Sequence, residues 1–127
     1  MGTLFRIKLY AASPPQAVAG FQAAFARIHQ LDETLSDYNP QSELMQLCRA
    51  VPGQPIHVSD DLYRVLEASQ KLSLASAGAF DVTEAPVIRL WREARKTKQL
   101  PDPSALREAG DRSGFSKLML DLSLIHI

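Results

Sequence analysis

Between Val18 and Leu35 the apolar residues fall at Val18, Phe21, Phe25, Ile28, Leu31 and Leu35, always three or four apart. That spacing lays them along one face of an α-helix rather than along a strand. A helix marked in this way has to lay its stripe against another element. The segment before it has the other period. From Thr3 to Ala11, Phe5, Ile7 and Leu9 point one way and Arg6 and Lys8 the other, which predicts a strand with one buried face. Ser13-Pro14-Pro15 separates the two. Ser13 is the expected N-cap and the prolines are tolerated in the first turn. The helix is predicted to run to about Glu33 and to end before Ser36-Asp37-Tyr38-Asn39-Pro40, a turn-forming cluster.

The rest of the chain is helical in pattern with short breaks. Ser42 to Arg49 predicts a short helix with Leu44 and Leu47 inward, broken by Val51-Pro52-Gly53. Pro55 to Val58 suits a short strand. Ser59 suits an N-cap, with Asp60 and Asp61 in the first turn where the helix dipole favours negative charge. Leu62, Val65, Leu66, Ser69 and Leu72 then form an inner face to about Ser76, with Gly78 as the exit. Gly78 to Thr83 follows neither period and is expected to be a loop. Pro86 opens the next helix, with Val87, Leu90, Trp91 and Ala94 inward and Arg92, Arg95, Lys96 and Lys98 solvated. Pro101-Asp102-Pro103 is a turn, Ser104 to Glu108 a short helix, and Phe115 to Asp121 a strand. Strands and helices in this order predict an α+β fold.

Balanced charge narrows the partners. Fourteen Lys and Arg residues face fourteen Asp and Glu, so the chain has no electrostatic case for duplex nucleic acid or an anionic membrane. No apolar run approaches the length of a membrane helix, and no transmembrane segment is expected. The opening MGTLFRIKLY lacks signal-peptide order. Met1 is either a native start or an internal methionine downstream of a targeting segment. The segment Leu122 to Ile127 is what CTG TCT CTT ATA CAC ATC encodes, the mosaic end of a sequencing-library transposon. Residues 122–127 are therefore set apart as an adaptor-derived tail, the alternative being a native strand, and the chain is expected to be cut near Asp121.

Familiar catalytic signatures are missing. There is no phosphate-binding glycine loop and no Cys/His cluster, and His29 and His57 stand alone. His29 suits capping or packing, and Cys48 suits a buried, inert thiol. Two loops carry more. Tyr38, between small polar residues just past a buried helix, can stack on a planar ligand while neighbouring hydroxyls and amides bond its edges. The same composition suits a surface turn whose tyrosine covers a helix end. In Gly78-Ala79-Phe80-Asp81-Val82-Thr83 the small residues admit a ligand to the backbone, Phe80 adds an apolar wall and Asp81 an acceptor. A plain helix-to-helix connection is the alternative.

With these loops the chain resembles the N-terminal part of the ApbE family, the FAD:protein FMN transferases. The resemblance lies in Met1-Gly2-Thr3 before the first strand, in Leu35 to Leu44, in Ser76 to Thr83, and in Pro86, Leu90 and Trp91. It spans residues 1–121 as one N-terminal domain part. It implies an α+β enzyme, an ApbE-like mixed sheet with flanking helices, here truncated. The enzyme binds FAD and magnesium, moves FMN to a threonine hydroxyl of an acceptor flavoprotein, and releases AMP. It places Met1, Tyr38, Ala79, Phe80 and Asp81 at FAD, names no catalytic residue in this chain, and leaves the magnesium ligands outside it. Family members are often membrane-anchored periplasmic lipoproteins.

Two departures stand out. Glu84-Ala85 replaces a usual Val-Gly, adding a carboxylate beside the FAD loop, and Cys48 stands where asparagine is common. Alternatives in the same site are an FAD pyrophosphatase and a non-catalytic flavin-binding or interaction domain. The chain alone is expected to lack transferase activity and to expose apolar surface. Because Tyr38 and Asp81 lie in loops, replacing either is expected to leave ligand-free melting nearly unchanged. Val65→Ala is the expected destabilising control.

Overall fold

The structure, a computed structural model, describes residues 3–121 and the backbone of Ile125–His126. Met1 and most of the 122–127 tail lie outside the described residues. Two compact units divide the chain, residues 1–50 and residues 51–127.

The first unit is built on α1 (Pro14–Leu35) and α2 (Glu43–Leu47), which pack together. The prolines sit in the first turn of α1 as expected, and they change what Ser13 has to do. Neither proline has an N–H, so two of the first four unpaired donors of the helix are gone, one of them the second-position donor an N-cap side chain can serve. Ser13 occupies the cap position with extended backbone, and its hydroxyl makes no capping bond. Gln16 reaches back instead, its Oε1 accepting from the Ala12 N–H at 3.1 Å. The stripe of α1 is only partly covered. Phe21, Ile28, Leu31 and Leu35 are half-buried, while Val18 and Phe25 are exposed. His29 is exposed too, so it neither packs nor fills a core.

The alternating segment before α1 is not a strand, contrary to the sequence expectation. Its period survives in burial, with Ile7 and Leu9 half-buried and Lys8 and Tyr10 exposed. A strand, however, is defined by a ladder, and among the described residues no strand pairs with it. Leu9 packs instead against α1, its Cδ2 3.1 Å from where a Cβ at Gly20 would sit.

The second unit carries α3 (Asp60–Ala75), α4 (Ala85–Thr97) and α5 (Pro103–Arg112). A 3-10 turn at Phe115–Lys117 and an antiparallel pair complete it, β1 (Met119–Leu120) with β2 (Ile125–His126), Met119 opposite His126. Helix α4 packs on α5, and α3 on β1. The expected mixed sheet is represented among the described residues by this pair alone. Ile56 makes only an isolated bridge where a short strand was predicted. No described helix is long and apolar enough to cross a membrane.

Ser59 caps α3 as expected, its Oγ accepting from the Leu62 N–H at 3.3 Å, with Asp60 and Asp61 in the first turn. The buried face runs through Leu62, Leu66, Ser69 and Ser73. Val65 and Leu72, assigned to that face from sequence, are 43% and 50% exposed. Serines can line it because their hydroxyls bond back one turn, Ser69 to the Val65 carbonyl at 2.7 Å and Ser73 to the Ser69 carbonyl at 3.0 Å. Likewise Trp91 on α4 is exposed, while Val87, Leu90 and Ala94 are half-buried. Asp102 caps α5, accepting from the Ser104 hydroxyl and from the Ser104 and Ala105 N–H groups. These bonds hold its carboxyl below the usual range.

Helix α3 ends on two crossed bonds, Gly78 N–H to the Ser73 carbonyl at 2.8 Å and Ala77 N–H to the Leu74 carbonyl at 3.2 Å. This is the Schellman arrangement, and it puts Ala77 in the left-handed position just past the cap, at φ 51°, with Gly78 after it also at positive φ. A Cβ is disfavoured there. Ala77→Gly is therefore expected to raise stability by about 0.5–1 kcal/mol, read as a higher urea midpoint with unchanged slope.

Candidate functional site

The first candidate loop follows α1. Ser36 and Ser42 are both buried, and their hydroxyls work on the loop itself. Ser42 Oγ donates to the Ser36 carbonyl at 2.6 Å and accepts from the Met45 N–H at 3.1 Å, so one hydroxyl closes the loop and caps α2. Ser36 Oγ accepts from the N–H groups of Tyr38 and Asn39 at 3.4 and 3.3 Å. Asn39 Oδ1 accepts from the Gln41 N–H at 2.9 Å, and Arg49 reaches the Pro40 carbonyl at 2.5 Å. The hydroxyls and the amide oxygen read from sequence as ligand contacts thus serve the turn. Tyr38 is what the turn presents, 72% exposed on backbone fixed from both sides. Cys48, just after α2, is exposed, not the buried thiol expected.

The second loop joins α3 to α4 and carries the adjacent residues Ala79, Phe80 and Asp81. Its backbone donors turn inward. Ala79 N–H bonds to the Ser76 carbonyl and Phe80 N–H to Ser76 Oγ, both at 3.1 Å. What these two residues retain for a ligand is carbonyl acceptors beside the Phe80 ring.

Asp81 is more engaged than sequence suggests. Oδ1 accepts from both the N–H and the hydroxyl of Thr83, at 2.8 and 2.7 Å, and Oδ2 accepts from the Phe115 N–H at 2.7 Å. A carboxylate has about four acceptor positions, so one remains. The bond to Phe115 also explains why the segment after Gly114 starts as a turn and not as the predicted strand. Its first N–H is drawn to Asp81, out of any ladder.

Sequence reading missed the partners of this loop. Thr83 Oγ1 accepts from the Gly114 N–H at 2.7 Å, and Gln70 Nε2 donates to the carbonyls of Phe115 and Leu118 at 2.8 and 2.5 Å. The Phe115 ring lies 3.3 Å from where a Cβ at Gly78 would be, and Gly78 holds φ 83°. A side chain there would meet both strain and the ring. The Asp-x-Thr spacing was a usable signal, because Asp commonly bonds two residues on. Nothing local in the sequence joins Gln70 to Phe115.

Tyr38 belongs to the first unit and the other three described candidates to the second. Glu84, the departing carboxylate, sits at the N-cap of α4 without a side-chain capping bond. An open groove of about 460 Å³ is lined by Trp91, Ala94, Arg95, Lys98, Gln99 and Leu100, toward the far end of α4 from the loop.

The sequence matches the ApbE family over residues 1–126. It is 31% identical over 121 residues to the FAD:protein FMN transferase of Treponema pallidum, covering 94% of this chain and 33% of that protein. It is 34% identical over 100 residues to the enzyme of that name from Haemophilus influenzae, covering 76% and 29%. The fold resembles the flavinyl transferase ApbE of Pseudomonas stutzeri in its apo form, with a TM-score of 0.76 at 24% identity over 90% of this chain and 36% of that one. For the flavin transferase ApbE of Vibrio cholerae the TM-score is 0.74 at 21% identity, over 85% and 36%. These likenesses bear out the expected truncated α+β fold. The chain spans about a third of the length of the curated relatives it matches.

Proposed function

The chain belongs to the ApbE family, and from that premise we propose that it is the N-terminal part of an enzyme moving FMN from FAD to a threonine hydroxyl of an acceptor protein. In that reaction the hydroxyl oxygen forms a bond to the FMN phosphorus. The phosphoanhydride bond to AMP breaks, AMP leaves with the electron pair, and the hydroxyl gives up its proton. Such transfer depends mainly on positioning and on offsetting charge at the phosphates.

The observation that carries this reading is the Tyr38 turn, an exposed aromatic on a backbone that its own hydrogen bonds immobilise. A flat ring held in this way stacks on a flavin without losing much freedom on binding. The carbonyls of Ala79 and Phe80 and the remaining position on Asp81 are all acceptors. They suit the donors a flavin dinucleotide offers, namely ring N–H, amino and ribose hydroxyl groups. Met1, also assigned to FAD by the resemblance, adds to this set. Magnesium finds no donor set here, since no group of three His, Cys, Asp or Glu converges among the described residues. No step assigned to these residues runs through it, and its ligands are assigned to the part of the relatives this chain does not span.

The test is titration of the chain with FAD, followed by flavin fluorescence. Tyr38→Ala is expected to weaken binding by about 1 kcal/mol, near fivefold. Ligand-free melting should hold, because the side chain is mostly in solvent. Undiminished affinity would remove Tyr38 from the site. In a chain extended to the length of its relatives, covalent flavin on an acceptor with AMP release supports the transferase. AMP release without transfer would favour the pyrophosphatase, and binding without AMP release a non-catalytic domain.

A further inference from the structure

We infer that Thr83 and Gln70 are positioning residues for the dinucleotide loop, acting through the Gly114–Phe115 turn. The inference rests on the flavin-binding reading above.

The Thr83 hydroxyl is used in both directions. It donates to Asp81 Oδ1 and accepts from the Gly114 N–H, each at 2.7 Å. It therefore links the Asp81 carboxylate to the turn as a fixed relay. The other carboxylate oxygen takes the Phe115 N–H, so Asp81 is gripped at both oxygens and cannot swing. Gln70 holds the far side, placing both hydrogens of its amide on the carbonyls of Phe115 and Leu118. With the Phe115 ring against Gly78, the turn touches the loop at Gly78 and again at Asp81 and Thr83. Ala79 and Phe80 lie between those two points of contact.

A loop bracketed in this way is ordered before a ligand arrives. Ordering it at the moment of binding would subtract from affinity. Removing the Thr83 hydroxyl leaves the Gly114 N–H without its acceptor and takes one of the two bonds from Asp81 Oδ1, where only the backbone N–H of residue 83 stays. The link from Asp81 through residue 83 to the Gly114 turn is then broken, and the carboxylate is held by two backbone N–H groups alone, so its open acceptor position is aimed less tightly. Removing the Gln70 amide releases the turn from α3.

The experiment titrates FAD into the full chain well below its melting temperature, so that affinity is read in folded molecules. Thr83→Val keeps the shape without the hydroxyl, Thr83→Ser keeps the hydroxyl, and Gln70→Met keeps the length without the donors. Thr83→Val is expected to raise the Kd about fivefold or more, Thr83→Ser to stay within about twofold of the parent, and Gln70→Met to raise it about threefold. Should Thr83→Val fold and bind as the parent does, or Thr83→Ser lose as much as Thr83→Val, the positioning role is overturned while the flavin-binding reading stands. If Thr83→Val does not fold, Gln70→Met decides, and parental affinity in it overturns the inference. If the parent chain itself does not bind FAD, the flavin-binding reading fails and the inference falls with it.

Discussion

Asp81→Ala is expected to lower the stability of the second unit by about 2–3 kcal/mol, contrary to the near-neutral outcome that a loop position suggests. The carboxylate accepts three hydrogen bonds, from the Thr83 N–H, the Thr83 hydroxyl and the Phe115 N–H. Alanine leaves all three donors without their acceptor at a half-buried site. Water reaches some of them, which keeps the cost below three full desolvation penalties. For a unit of this size the loss corresponds to a fall of roughly 10–15 °C in ligand-free melting.

Asn is not a neutral substitute at this position. Its oxygen can serve Thr83, but its NH2 then faces the Phe115 N–H, donor against donor. Asp81→Asn is therefore expected to melt between the parent and Asp81→Ala. Ligand-free thermal and urea unfolding of the two variants measures this directly. An Asp81→Ala chain that melts with the parent would mean the carboxylate does not hold the turn. The same change should weaken FAD binding, so affinity has to be compared at temperatures where the variant is folded.

How far the sequence could be read depended on how local the deciding interaction was. The helices α1, α3 and α4 were legible because their apolar period is written in neighbouring residues, and Ser42 and Ser59 start helices through bonds only three residues long. Thr3 to Ala11 showed a strand period, but a strand needs a partner elsewhere in the chain, and pattern alone does not supply one. On α3 the face was read toward Val65 and Leu72 because they are apolar. Leu62, Leu66 and Ser69 lie on the buried line as read, but it continues through Ser73 and not through Val65 or Leu72, the polarity of both serines being hidden by bonds to the preceding turn.

The candidate site divides in the same way. The exposure of Tyr38 follows from its setting among turn residues. That Ser36 and Ser42 spend their hydroxyls on the turn depends on which way each side chain points. For Asp81 the missing information was long-range, since its partner Phe115 lies 34 residues away.

Leu62→Ala is the largest effect expected from the core, about 3–4 kcal/mol. Leu62 is fully buried at 0% exposure in the first turn of α3, and it heads the line that continues through Leu66, Ser69 and Ser73. The second unit has few other fully covered apolar side chains. Among its described residues only Leu66, Ala109 and Leu118 join Leu62 in the buried apolar core. With so little apolar surface covered, deleting one leucine removes a large share of what holds the unit together. Val65, one turn on and 43% exposed, already spends part of its surface in water, so Val65→Ala should cost less than about 1 kcal/mol. The pair is measured by urea unfolding of the ligand-free chain, with equal slopes required for the comparison. Equal loss in both variants, or a greater loss in Val65→Ala, would put the buried face of α3 back where the apolar pattern alone had placed it.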